Sequence, residues 1–206
     1  NVLRSMWERG WSFVKKAGTV ILLSMVILWF LQSFGFENGR LVMTEDINKS
    51  VLSFIGNLFA WMFRPLGFGN WQSVVATLTG LIAKENVVST FGVLLGNSEV
   101  SEAGNEIWQA MRGIFTPVSG YSFLVFNLLC APCVAAMGAI KREMNNWKWT
   151  AFAIGYQCVF AYAVALIVYQ FGLLFTGNMN IIGLVAAAAV LGLIVYMAAR
   201  PVKAKK

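Results

Sequence analysis

Two stretches limit what this chain can fold into. Phe152 to Leu174 and Ile181 to Ala199 contain no charged residue, and Val20 to Leu31 is apolar except for Ser24. The hydrocarbon core of a bilayer is about 30 Å thick, so about 20 mostly apolar residues are enough for a helix to cross it. Inside lipid the backbone must satisfy its own hydrogen bonds, which leaves helices or closed barrels. Runs this long and continuous suit helices. Composition agrees: 58% of the chain is hydrophobic and 12% charged, against about half and about a quarter in soluble domains. The expectation is an all-α polytopic membrane protein, a transmembrane helix bundle with broken or re-entrant helices.

The net charge of +7 comes from basic residues at the ends of the apolar runs. That pattern sets topology and is not a nucleic-acid footprint, so no nucleic-acid partner is expected; the bilayer is. Residues 1–16 contain Arg4, Arg9, Lys15 and Lys16 among Val2, Met6, Trp7, Phe13 and Val14. They read as a basic amphipathic helix on the cytoplasmic surface, or as the cytoplasmic extension of the first span. The first span is expected over 17–34. No small-residue cleavage site follows it, so it does not read as a signal peptide. A chain that opens on Asn1 reads as a fragment or a processed chain.

Residues 35–50 carry Glu37, Arg40, Glu45, Asp46 and Lys49 and are assigned to the periplasmic side. Next come three short or interrupted helices over 51–63, 74–95 and 121–140. The first is too short to cross and is closed by Arg64-Pro65. Residues 96–112 form a second acidic loop. A basic cytoplasmic loop over 141–148, spans over 149–175 and 181–199, and a basic tail over 200–206 complete a topology with both ends cytoplasmic. Ala186 to Ala189, with Gly183 and Gly192 nearby, give the last span a face of small residues suited to close helix packing. No internal repeat is evident.

Two constellations carry the chemistry. Lys84 and Glu85, followed by Asn86 and Ser89, lie within an otherwise apolar run. Ionisable groups at membrane depth are expensive and usually face a partner or a watery path. Neighbouring residues on a helix point about 100° apart, so the pair faces one site only if the helix breaks, near Gly80 or within 84–86. Glu85 and freed carbonyls then suit a divalent cation; a plain ion pair at helix ends is the alternative. The second constellation is Cys130-Ala131-Pro132-Cys133. Pro132 lacks a backbone N–H and breaks the helix. The two thiols suit a soft or borderline metal, a redox couple, or simple packing. Cys158 on its own reads as a packing residue. The chain has three cysteines and no histidine, so a closed structural zinc site is excluded. It has no phosphate loop, dinucleotide fingerprint or nucleophile elbow, so no enzyme activity is expected of it.

Three blocks together are familiar. They are Pro65-Leu66-Gly67-Phe68-Gly69-Asn70-Trp71 running through Gly80-Leu81-Ile82-Ala83-Lys84-Glu85-Asn86-Val87-Val88-Ser89-Thr90-Phe91, then Leu129-Cys130-Ala131-Pro132-Cys133, then Trp147-Lys148-Trp149-Thr150-Ala151-Phe152. With the start, Arg4 through Trp11 to Lys16-Ala17-Gly18-Thr19, the chain resembles the ferrous iron transport protein B (FeoB) family over nearly its whole length. The resemblance implies an inner-membrane Fe2+ importer, with Fe2+ as transported substrate and no resident cofactor. It makes 51–140 a gate-type repeat, the second of two. The N-terminal GTPase domain, the first gate repeat and small cytoplasmic accessory proteins would be partners outside this segment, and a homo-oligomer is a further option. Cys130, Cys133 and Glu85 would be the metal or gating residues, with Lys84, Asn86, Ser89, Pro132 and Cys158 in support. The alternatives are a scaffold that gathers GTPase domains and a membrane thiol–disulfide protein. The likeness of gate repeats to nucleoside-transporter folds leaves an organic substrate as a remote option.

Overall fold

The computed structural model describes residues 2–37, 40–43, 47–82, 84, 86–94, 108–177 and 180–200. Among them the chain is helical throughout except for one small hairpin. Helix α1 runs unbroken over Val2–Ser33. The amphipathic segment and the first span anticipated over 1–16 and 17–34 are therefore one rod. Nothing in the sequence between them stops a helix, since Gly18 is the one weak helix former among Lys15, Lys16, Ala17 and Thr19.

The anticipated loop over 35–50 has structure instead. Strands β1 (Phe34–Glu37) and β2 (Arg40–Met43) pair antiparallel, Phe34 opposite Met43 and Glu37 opposite Arg40. The intervening sequence is Asn38-Gly39, the dipeptide that two-residue hairpins favour. Gly35 also bridges to Ser50, and the Ser50 side chain caps helix α2 (Val51–Phe63) by accepting from the Ser53 N–H.

Helix α2 passes through a single 3-10 turn, Arg64–Leu66, and turns sharply into helix α3 (Trp71–Ile82). The pair is bent by 96° and together is apolar enough for a broken span or a re-entrant loop. Helix α4 (Asn86–Leu94) follows a break at Lys84. Of the acidic loop expected over 96–112, most lies outside the described residues; helix α5 covers Trp108–Ile114. The run expected as an interrupted helix over 121–140 is two helices: α6 (Pro117–Leu129), opened by a capping box between Thr116 and Ser119, and α7 (Val134–Met144). The loop expected over 141–148 is reduced to Asn145 and Asn146. Asn145 closes α7 in the left-handed region (φ 46°), and the Asn146 side chain caps helix α8 (Trp147–Thr176). Gly177 (φ 78°) ends α8, and helix α9 (Ile181–Ala199) packs back along it.

Among the described residues α8 is long and apolar enough to cross a bilayer unaided, and α6 and α9 are shorter apolar helices. The outward face of α8 is oily: Phe152, Tyr156 and Val159 are exposed, and Val159 keeps 69% of its surface. On α9, Ile182 keeps 83%. Apolar faces like these suit lipid, which shares their lack of polarity. The protein is a helical membrane protein.

The core lies on the inward side of the broken helices. Phe63, Phe68, Phe91, Phe115, Phe123 and Phe126 form one connected set of rings with centroids 5.2 to 5.9 Å apart. Edge-to-face pairs among them, such as Phe68 with Phe123, have the preferred quadrupole geometry. Phe68 belongs to the hairpin tip and is fully buried. The tip is fastened to α8. Tyr162 Oη donates to Met62 O at 2.8 Å, and Gln170 Nε2 donates to Pro65 O at 2.9 Å. Met62 lies in the last turn of α2 and Pro65 in the 3-10 turn that follows it, where backbone carbonyls run out of helical donors.

Gly67 lets the tip lie this close. Its φ is +87°, and a Cβ there would run into the Tyr169 ring on α8. Gly67→Ala should therefore destabilise the detergent-solubilised protein by about 1–3 kcal/mol, the usual cost of one strained backbone position. Gly155→Ala, where a Cβ meets nothing within 4 Å, should leave the thermal midpoint unchanged or slightly raised. Equal midpoints for the two variants would contradict the tight tip.

Candidate functional site at two helix breaks

Both sequence-predicted constellations fall at helix breaks, and one side chain connects them. At the first break α3 ends at Ile82, Lys84 lies in the turn, and α4 starts at Asn86. Val87 N donates to Lys84 O at 3.4 Å. Glu85 lies outside the described residues. Asn86 and Ser89 fall on α4, their side chains outside the described set. Gly80 makes room for the fold-back: a Cβ there would sit 2.8 Å from Val87 Cγ2 and 3.4 Å from Asn127 Oδ1. Across the break, the buried hydroxyls of Thr79 on α3 and Thr90 on α4 share a hydrogen bond of 3.0 Å.

At the second break Cys130 leaves the helix in an extended conformation (φ −64°, ψ 173°), and Cys133 opens α7 (φ −56°, ψ 158°). Pro132 between them has no N–H to extend α6. Cys130 and Ala131 are buried, whereas Pro132 and Cys133 are half-buried. The carbonyls at the end of α6 are taken up in sequence. Phe126 O accepts from Cys130 N at 2.8 Å, and Asn127 O accepts the Cys130 thiol at 3.4 Å. Leu128 O accepts from Lys84 Nζ at 3.2 Å. The ammonium of the first break therefore closes the helix end of the second.

Cys158, on α8, and Lys84 both lie near the Cys130 thiol. All three cysteines are unbridged. Among the described residues, no three His, Cys, Asp or Glu side chains gather as a metal cluster. Any ion at this place would meet thiols, carbonyls and amide or hydroxyl oxygens, with Glu85 as the carboxylate nearest in sequence.

Several polar residues that hold the breaks were not singled out from the sequence. Asn127 donates from Nδ2 to Phe123 O at 2.9 Å, and its Oδ1 faces Gly80. Ser122 on α6 donates to Ala165 O on α8 at 3.1 Å. Ser73 Oγ and Gln170 Oε1 are buried with no hydrogen-bond partner. Each of these residues is a lone polar side chain inside an apolar run, and that was the available signal.

A membrane helix bundle whose helices break in pairs, with freed backbone ends met by side chains from other segments, is the class that fold and site define. The family model described as "Gate: Nucleoside recognition" matches residues 14–147, and the chain belongs to that family. Curated relatives narrow this to the membrane part of the FeoB family. The Fe(2+) transporter FeoB of Staphylococcus aureus (strain COL) is 38% identical over 172 residues, 84% of this chain and 24% of that protein. That of Methanocaldococcus jannaschii is 36% identical over 180 residues, 83% of this chain and 25% of that protein. An Fe(2+) transport protein A/FeoB fusion protein of Porphyromonas gingivalis is 29% identical over 215 residues, 85% of this chain and 25% of that protein. The chain spans about a quarter of the length of these relatives. No solved structure matches it.

If the Thr79–Thr90 bond braces the first break, a double-mutant cycle on Thr79→Val and Thr90→Val should show coupling. The expected size is about 0.6 kcal/mol and at most about 1.7, the range found for such bonds between membrane helices. Additive destabilisation in thermal unfolding would remove the brace.

Proposed function

We propose that this chain is the C-terminal membrane portion of a GTP-dependent ferrous iron importer and forms part of its ion path and gate. The observation that carries the reading is the Lys84 Nζ to Leu128 O contact. It joins the Lys-Glu break and the Cys-Ala-Pro-Cys break into one place. Fe2+ is a borderline cation that accepts thiolate as well as carboxylate and carbonyl oxygen. Cys130, Cys133 and Glu85 would replace part of its hydration shell, while Lys84, Asn86, Ser89, Pro132 and Cys158 shape the breaks around it. Binding must stay weak enough for the ion to leave, which fits a sparse set of ligands.

The chain has no nucleotide motif of its own, so coupling to GTP would come from a GTPase domain elsewhere in the intact protein, together with a first gate repeat. The Porphyromonas gingivalis relative, a fusion with an Fe(2+) transport protein A, supports a small accessory protein as a partner. Basic residues at both ends favour the bacterial inner membrane with both termini cytoplasmic. A second reading, a scaffold that gathers GTPase domains, draws on the exposed small residues Ala186, Ala188 and Ala189 of α9.

Uptake of Fe2+ by the intact protein in iron-starved cells tests the first reading against the second. Cys133→Ser, Cys130→Ser and Glu85→Gln, at matched membrane levels, should each lower uptake, by about tenfold or more where a principal ligand is lost. Wild-type uptake in all three would leave this segment as scaffold.

A further inference from the structure

Lys84 is an odd neighbour for a cation path. Its ammonium is a fixed positive charge next to a place argued to take a divalent cation, and it is the group that holds the two breaks together. The end of α6 explains why a positive charge is needed there. The last carbonyls of a helix lack helical partners and carry the negative end of its dipole. Phe126 O and Asn127 O are satisfied from Cys130, one through its N–H and one through its thiol. Leu128 O is satisfied by Lys84 Nζ at 3.2 Å, from 44 residues away in sequence. The position offers carbonyl oxygen and dipole charge next to the thiol of Cys130, and in this structure an ammonium occupies it.

A divalent cation drawn to Cys130 and to the same carbonyls would lie within a few ångströms of that ammonium. At such distances like charges repel strongly, and more so where water is scarce. Both cations also seek the oxygen of Leu128. Lys84 is exposed, and its long flexible stem lets the head group leave without moving the backbone.

We propose that Lys84 is a tethered resident cation: its ammonium fills the cation position at the end of α6 when no ion is present, and the transported divalent cation must displace it. The tether has two effects. It keeps the end of α6 satisfied in the empty state, so the break does not collapse or admit a stray ion. It also weakens ion binding by competition, which is what release from a thiol-bearing site requires. The proposal rests on the ion-path reading above and adds its regulation.

The test uses the intact protein in detergent with Co(II), whose thiolate band reports binding, and Fe2+ uptake in proteoliposomes. Lys84→Gln keeps the length and removes the charge; it should tighten Co(II) binding by about tenfold or more and lower the KM for Fe2+ uptake in parallel. Lys84→Arg should bind Co(II) much as wild type does. Co(II) affinity in Lys84→Gln within about twofold of wild type, or equal tightening in Lys84→Arg, would overturn the tether. A second measurement needs no variant: Co(II) should increase acylation of Lys84 in the wild-type protein, read by mass spectrometry, and unchanged or decreased labelling would overturn displacement. Cys130→Ser and Cys133→Ser separate the two readings. Loss of Co(II) binding in these with no effect of Lys84→Gln overturns the tether alone. Unchanged Co(II) binding and uptake in both removes the ion path, and the tether with it.

Discussion

In a bilayer an unpaired backbone carbonyl costs several kcal/mol because there is no water to meet it. A continuous helix avoids that cost; a broken helix exposes it twice. This chain breaks its helices at the α2–α3 tip, at Lys84 and at 130–133, and most of what distinguishes its structure follows from how the freed carbonyls are met. Met62 O takes the Tyr162 hydroxyl, Pro65 O takes the Gln170 amide, and Leu128 O takes the Lys84 ammonium. Each donor comes from a different segment than its acceptor. The polar side chains thus do what water does at helix ends in soluble proteins, and at the same time they fix which helices are neighbours.

The arrangement has visible costs. Gln170 can aim its amide N–H at Pro65 O only by turning its Oε1 toward α9, where it is buried with no partner. α9 places Gly183 there, the residue with no side chain to collide with that oxygen. The glycine that looked like part of a small-residue packing face therefore answers to a particular amide on α8. Similarly, the six-ring core is not general oiliness. Phe68 reaches it from the hairpin tip, so the core forms only if the tip is seated on α8, and the two hydrogen bonds from α8 seat it.

Much of this was legible in the sequence because the strongest signals are local. The uncharged runs give α8 and α9, and Pro132 with its flanking cysteines marks a break. The hairpin of β1 and β2 was missed although Asn38-Gly39 announces it, because the charged residues around it read as a plain loop. The two-residue turn at Asn145 and Asn146 was hidden for a related reason: Lys141 and Arg142 look like loop residues, yet they occupy the last turn of α7, where the dipole favours cations. The pairing of Lys84 with Leu128 could not be read at all. It spans 44 positions, and its acceptor is a backbone carbonyl, which every residue has and no sequence pattern marks.

This pairing also decides how the breaks can move. The α2–α3 tip is held by α8, and α6 is held by α8 through Ser122 and Ala165. α8 is long and unbroken, so it acts as the frame. The Lys84 turn is tied to that frame through α6, at Leu128 O, and the Cys130 thiol ties the start of the 130–133 stretch back to Asn127 O of the same helix. Moving the Lys84 turn away from the end of α6 frees Leu128 O and the ammonium together. If Lys84 is the tethered cation proposed above, an arriving ion replaces the bond that is lost. On that proposal the rearrangement costs least when an ion is present, which would couple occupancy to movement without requiring a hinge elsewhere in the bundle.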